Sequence, residues 1–212
     1  TQTAGLIGAA TNNGIGMAGA GRDVMMLPVR VLGKCGGFDS DIQAAMLWAA
    51  GLSTTPNTNP YPAKVINLSL GSTGACSDSY RQVIQQVTAA GVVVVVAAGN
   101  EGLAVGTPAN CPGAIAVAGV RHAGTKVGYS DLGPEVAIAA PAGNCVNLSG
   151  NCLYPLLTTS NSGDIAPVAG EAGAIYTGTG ANASLGTSFS APLVSGTVGL
   201  MLSSHPNLSP AD

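Results

Sequence analysis

The chain has 212 residues, enough for one domain with a substantial core, and carries a formal net charge of −3. Only 8% of its residues are charged, against about a quarter in an average soluble protein, while 31 are glycine and 4% aromatic. With no basic patch and no aromatic platform the composition argues against nucleic acid as a partner, and no apolar run reaches the roughly 20 residues of a membrane-spanning helix.

Strand and helix signals alternate along the chain. "TAGLIGAA" (3–10) predicts a helix of small residues, followed by a glycine-rich loop. "DVMMLPVRVLG" (23–33) predicts a buried strand. "DSDIQAAMLWAAG" (39–51) predicts a helix with an Asp/Ser cap, an apolar face at Ile42, Ala45, Met46 and Ala49, and a stop at Gly51. After a Pro/Asn/Thr-rich loop, "KVINLSLG" (64–71) predicts a second strand. "SDSYRQVIQQVTAAG" (77–91) is amphipathic, with Tyr80, Val83, Ile84 and Val87 on one face. "VVVVVAAGN" (92–100) suits a strand buried on both faces, as a central parallel strand is. Two more strands are expected at 114–120 and 135–141. From 143 to 184 the chain turns Gly/Ser/Thr/Asn-rich, predicting a surface excursion with a hairpin formed by pieces at 153–159 and 174–179. The expected fold is α/β, a doubly wound, mainly parallel sheet with helices on both faces in a three-layer arrangement.

The cysteines (Cys35, Cys76, Cys111, Cys145 and Cys152) form no CxxC pair and lie away from both histidines, which disfavours zinc. Disulfides in a secreted protein are the better reading. Cys35 and Cys76, in loops after successive strands, form the first expected pair; Cys111, Cys145 and Cys152 then compete for a second bond. Sequons at Asn67, Asn147, Asn182 and Asn207 carry no meaning in a bacterial protein. The chain opens on Thr1 without a signal peptide and closes on "SPAD", which reads as the start of another helix. Residues 1–212 are therefore expected to be one domain, incomplete at both ends.

Three motifs bear on chemistry. Gly14, Gly16 and Gly19 fit G-x-G-x-x-G, but a helix precedes them and a strand is expected after, the reverse of a dinucleotide site. A tight glycine loop is the better account. Asn100 comes after five consecutive valines, beyond the carboxyl end of a predicted strand, where active groups of open parallel sheets gather. Its amide can stabilise a developing oxyanion, or simply turn the chain with Glu101 and Gly102. Ser188, in "GTSFSAPLVSG" (186–196), precedes an apolar helix. A serine there is ordinarily an N-cap. Gly186 permits a strained approach, however, Pro192 is tolerated in a first turn, and the helix behind is apolar nearly all round and is expected to run through the core. Its positive end would favour an oxyanion.

Together these stretches resemble the subtilisin-like serine proteases. "GTSFSAP" resembles the family's serine motif, "AAGNEG" its oxyanion-asparagine motif and "NLSLGS" its substrate-binding strand. "TQTAGLIGA…NNGIGMAG" resembles the stretch just after its catalytic histidine, and "VRVLGKCGGFDSDI" is most like secreted members from Gram-negative bacteria. The resemblance implies a secreted endopeptidase acting through an acyl-enzyme on Ser188, with the Ser188 N–H and the Asn100 side chain as oxyanion hole. It makes Ser69, Leu70 and Gly71 one wall of the pocket for the residue before the scissile bond and Ala97, Ala98 and Gly99 the other. Small apolar walls imply entry of a large hydrophobic side chain. Leu32 and Gly33 would flank the substrate's far side, and Ile42 with Leu70 would line a second apolar pocket. Calcium is implied in the full-length protein, on the carbonyls of Thr11, Ile15 and Met17 and the Asn13 side chain, with further ligands upstream. The family's base would lie two residues before Thr1 and its orienting aspartate further upstream. His122, in a turn-like stretch, and His205, roughly 25 Å along the helix from Ser188, are no substitutes. The 212 residues alone are thus expected to lack normal turnover. Expected partners are protein or peptide substrates and a propeptide or inhibitor, with a monomeric state. The rival readings are a non-catalytic homologue that binds extended peptides in the same groove, and a dinucleotide enzyme, which lacks the required context.

Overall fold

A computed structural model describes residues 1–145, 151–178 and 183–212 of the chain. It begins with α1 (Gln2–Gly8), followed by α2 (Asp39–Ala49), β1 (Val65–Leu68), α3 (Asp78–Ala89), β2 (Val93–Ala97), β3 (Ala114–Val120) and β4 (Val136–Pro141). Short strands β5 (Thr159–Asn161) and β6 (Ala174–Tyr176) come before the last helix, α4 (Thr187–Ser204). β1 to β4 form a parallel sheet in sequence order, with Leu68 level with Val96 and Ala97 level with Val117. The valine run explains its centre. Val94 and Val96 point into a core shared with α2 and α3, while Val93, Val95 and Ala97 point to the opposite side, where α4 packs. Every residue of β2 is buried. Helices therefore cover both faces, as the strand–helix alternation predicted.

Local signals place the elements. Ser77 caps α3 by accepting the Tyr80 N–H at 3.3 Å, and the predicted face (Tyr80, Val83, Ile84, Val87) is the buried one. Helix α2 has Phe38 at its N-cap, without a side-chain cap bond, so the Asp/Ser cap expected there does not form. Asp39 instead accepts the Tyr80 hydroxyl at 3.1 Å, tying α2 to α3.

Residues 23–33 depart from expectation. They form no strand; Met25 is 97% exposed, and among the described residues the single ladder contact is a Gly33–Gly36 bridge. Apolar composition favours burial but a strand also needs a neighbouring edge, and beyond the Gly33–Gly36 bridge no described residue pairs with this segment in a ladder. The excursion from 143 does contain a hairpin, β5 with β6 antiparallel, its first strand beginning where the predicted piece ends. It folds back onto α1 through the Thr158 hydroxyl, which donates to the Gln2 carbonyl at 2.6 Å.

The disulfides also differ. Cys76 bonds Cys111, Cys145 bonds Cys152, and Cys35 is free and exposed. The Cys35–Cys76 pairing fails because Cys35 sits on the outward Gly33–Gly36 turn. The loop bearing Cys76 is instead stitched to that of Cys111: Asn110 Nδ2 donates to the Gly74 carbonyl at 2.8 Å, and Ser72 N–H to the Thr107 carbonyl at 2.9 Å. Asn147 and Asn182 lie outside the described residues.

Candidate active site

Ser188 is half-buried in the first turn of α4. Gly186 is the N-cap, at φ 140°, a conformation suited to glycine. An N–H in a helix's first turn has no intrahelical acceptor. That of Thr187 is met by Asn100 Oδ1 at 2.8 Å, from the end of β2. The Thr187 hydroxyl accepts the Gly99 N–H at 3.1 Å and lies within donating distance of the Gly99 carbonyl and Asn100 Oδ1. A backbone N–H can only donate, so the Asn100 amide must present its oxygen to Thr187. Its Nδ2 is turned elsewhere and has no partner among the described residues. Two donors, Asn100 Nδ2 and the Ser188 N–H, are left without an acceptor among the described residues.

The predicted walls stand on adjacent strands. Ser69–Gly71 continue β1 and Ala97–Gly99 end and extend β2. Ser69 Oγ donates to the Ser188 carbonyl at 2.7 Å and accepts from Asn67 Nδ2 at 2.9 Å. Ser195 Oγ in turn donates to Asn67 Oδ1 at 2.9 Å, so a polar chain joins β1 to two turns of α4. Among the described residues Ser188 Oγ reaches only the Ser69 carbonyl, at 3.5 Å. Ala97 and Ala98 are buried. Ile42 is in the α2/α3 core with Leu70 packed against it, while Leu32 is exposed beside the Gly33 bridge.

Neither histidine reaches the serine. His122 is exposed and stacks on Tyr154 with ring centroids 3.6 Å apart, and His205 is the C-cap of the helix that Ser188 opens.

A turn after β3 touches both sides of the site. Tyr129 Oη accepts the Gly186 N–H at 3.0 Å, sharing it with the Ala142 carbonyl at 2.8 Å, and lies 2.7 Å from the Ala142 and Gly143 carbonyls, to one of which it donates. Burial pushes its pKa up to about 12, against the opposing effect of the Gly186 N–H. Asp131, 3% exposed, accepts the Glu101 and Leu103 N–H groups on Oδ1 at 3.0 and 2.8 Å.

The order of the motifs and this geometry match a known family along the whole chain: the profile of the subtilase family covers residues 1–212. The chain belongs to the subtilase family. This subtilase is 41% identical over 217 residues to an extracellular protease of Xanthomonas campestris pv. campestris, a match spanning 100% of the chain and 34% of that protein. It is 38% identical over 207 residues to an extracellular basic protease of Dichelobacter nodosus, covering 96% of the chain and 31% of the relative. A solved protease structure from Pseudoalteromonas arctica superimposes with a TM-score of 0.90 at 39% identity, over 100% of this chain and 60% of that one. The chain thus spans about a third of the two extracellular proteases.

In this subtilase the loop expected to hold calcium has positive φ at alternate residues: 58° at Asn12, 69° at Gly14 and 63° at Gly16. Asn13 Oδ1 accepts the Ile15 N–H at 3.0 Å, and no cluster of three or more carboxylate, His or Cys ligands occurs among the described residues. The side chains present thus fit only part of a calcium site. Among the described residues no helix is long and apolar enough to cross a membrane. Sequence reasoning missed Asn67, Thr187 and Ser195 as partners, although Asn67 and Thr187 lie inside the motifs that carry the resemblance. For Tyr129 and Asp131 there was no local signal.

Proposed function

We propose that residues 1–212 belong to the peptidase domain of a secreted serine endopeptidase, which cleaves peptide bonds through an acyl-enzyme on Ser188. Ser188 Oγ attacks the scissile carbonyl carbon, and the oxyanion is met by the Ser188 N–H and Asn100 Nδ2. The amine leaves with a proton, and water then hydrolyses the ester. The observation that carries this reading is the bond from the Thr187 N–H to Asn100 Oδ1 at 2.8 Å, which leaves Nδ2 as the free donor beside the serine.

The reaction needs a general base within hydrogen-bond reach, and neither His122, stacked on Tyr154, nor His205, at the far end of α4, bonds Ser188. We assign the base and its orienting aspartate to the full-length protein, outside these residues, and expect the 212 residues alone to be inactive. The walls Ser69–Gly71 and Ala97–Gly99 favour a large apolar side chain before the scissile bond, with Leu32, Gly33, Ile42 and Leu70 on the flanking subsites. Calcium, held in part by Thr11, Ile15 and Met17 carbonyls and Asn13 Oδ1, would brace the loop after α1 in the full-length protein. Substrates are proteins or peptides; a propeptide or inhibitor would occupy the same groove, and the enzyme would act as a monomer.

The test uses the full-length protein and a serine-directed peptidyl phosphonate. Covalent label on Ser188 and casein hydrolysis, both lost in Ser188→Ala, are expected. An unlabelled, inactive but peptide-binding protein would mean that the groove serves recognition alone.

A further inference from the structure

We propose that the turn Tyr129–Ser130–Asp131 is the brace that sets the oxyanion hole, with Tyr129 and Asp131 as positioning residues for the two donors. The inference rests on the reading of Ser188 and Asn100 given above. These donors come from segments far apart in sequence, and their spacing must be held to a few tenths of an ångström to match a tetrahedral oxyanion. The Thr187–Asn100 bond joins them directly, but Asn100 lies on a loop and Ser188 in the first turn of α4, and this bond by itself does not fix either against the sheet.

One half of the hole is the loop 99–103. Asp131 Oδ1 accepts the N–H groups of Glu101 and Leu103, and the Asp131 N–H donates to the Gly99 carbonyl at 3.0 Å. The Gly102 N–H donates to the Tyr129 carbonyl at 2.8 Å. Residues on both sides of Asn100 are therefore fastened to this turn. The fit is close: a Cβ on Gly99, which has φ 118°, would overlap Asp131 Oδ2.

The other half is the start of α4. The Gly186 N–H, two residues before Ser188, is shared between the Ala142 carbonyl at 2.8 Å and Tyr129 Oη at 3.0 Å, and Tyr129 Oη bonds back to the Ala142/Gly143 carbonyls, closing the same link from its other side. The turn has its own anchor in the sheet. Ser130, fully buried, accepts the Gly119 N–H of β3 on Oγ at 2.9 Å, and Lys126 Nζ donates to its carbonyl at 2.6 Å. Side chains on either side of Ser130 thus hold the two donors against one fixed strand.

The experiment compares Tyr129→Phe, Asp131→Ala and Asp131→Asn in the full-length protein. It measures kcat and KM on a peptide amide, the inhibition constant of a peptidyl boronate, and the urea midpoint. Tyr129→Phe removes the Oη bonds without changing volume much; Asp131→Asn keeps the Oδ1 acceptor. Small displacements of a reacting group cost up to about 100-fold in rate. The expected result is a fall in kcat of about 10- to 100-fold in Tyr129→Phe and Asp131→Ala, with KM within about twofold and boronate affinity weakened in parallel. Asp131→Asn restores most of kcat. If Asp131→Ala does not fold, Tyr129→Phe and Asp131→Asn carry the comparison. Folded variants with parental kcat and boronate affinity, or a loss confined to KM, overturn the brace while leaving Ser188 as nucleophile intact. A parental protein with neither turnover nor serine labelling overturns both.

Discussion

Asn100 and Thr187, 87 residues apart in sequence, are joined by a 2.8 Å bond from the Thr187 N–H to the asparagine oxygen. This one contact orients the asparagine amide and satisfies an orphan donor of α4. It couples the carboxyl end of the central valine strand to the residue before the serine.

Replacing Asn100 by Ala should therefore strike the transition state rather than substrate binding. In the full-length protein kcat is expected to fall by about 10²- to 10³-fold, the magnitude measured for the oxyanion asparagine of subtilisin. KM should change little. Steady-state kinetics on a peptide amide check this, and a loss appearing only in KM would place Asn100 outside the oxyanion hole.

The polar chain Asn67–Ser69–Ser188 should be cooperative. Asn67→Ala leaves Ser69 Oγ without its donor and Ser195 Oγ without one acceptor. A stability loss of about 1–3 kcal/mol is expected from urea titration. A double-mutant cycle with Ser69→Ala should show coupling of about 0.5–1.5 kcal/mol; strict additivity would mean the bond is energetically idle.

The two disulfides should differ in worth. Cys76–Cys111 spans a sequence separation of 35 and Cys145–Cys152 one of 7. Loop-closure entropy gives about 3–4 kcal/mol for the longer and about 2 kcal/mol for the shorter. Paired Cys→Ser substitutions, compared by denaturant midpoint, should reproduce that order.

Alkaline pH should destabilise the fold through two tyrosines. Burial raises Tyr129 to about 12, and burial with the adjacent Asp39 charge and hydrogen bond raises Tyr80 further. Unfolded tyrosine ionises near about 10. Above that pH the unfolded chain releases protons that the folded chain retains, so this stability is whole below pH about 10 and is lost as pH rises toward 12. Urea midpoints at about pH 9 and about pH 11.5 should diverge less in Tyr129→Phe and Tyr80→Phe. A Tyr80→Phe/Tyr129→Phe double variant that weakens as steeply as the parent would assign the effect to other groups.

The legible parts of this molecule were those with a short repeat. The buried strands β2 and β3 are runs of Val and Ala because both faces are covered, and the α3 face repeats at helical spacing. The placement of Ser188 and Asn100 at neighbouring element ends was legible because glycine, hydroxyl and amide groups cluster where a strand or helix ends. The segment 23–33 misled because its apolar residues state a preference for burial without stating a partner. Tyr129 and Asp131 were illegible for a related reason. Each acts on backbone groups brought near by the sheet topology, 57 residues away for Gly186 and 28 and 30 for Leu103 and Glu101.

Helix α4 is unevenly constrained along its length. Its first half is packed, with Thr187, Ser190 and Ala191 fully buried, whereas Leu200 and Met201 are 39% and 46% exposed. The prediction of a helix threading the core holds only for the end that bears the serine. Tolerance to mutation should therefore form a gradient. At Gly186 the φ of 140° confines the choice to glycine, and within the next two turns a change of one methylene is felt against the sheet. Past Gly199 the same helix should accept polar and charged residues alike. A saturation library over 186–202, sorted for secreted active protein, would display that slope directly. The proposed nucleophile thus sits among the least mutable few residues of a helix whose far end is free to drift.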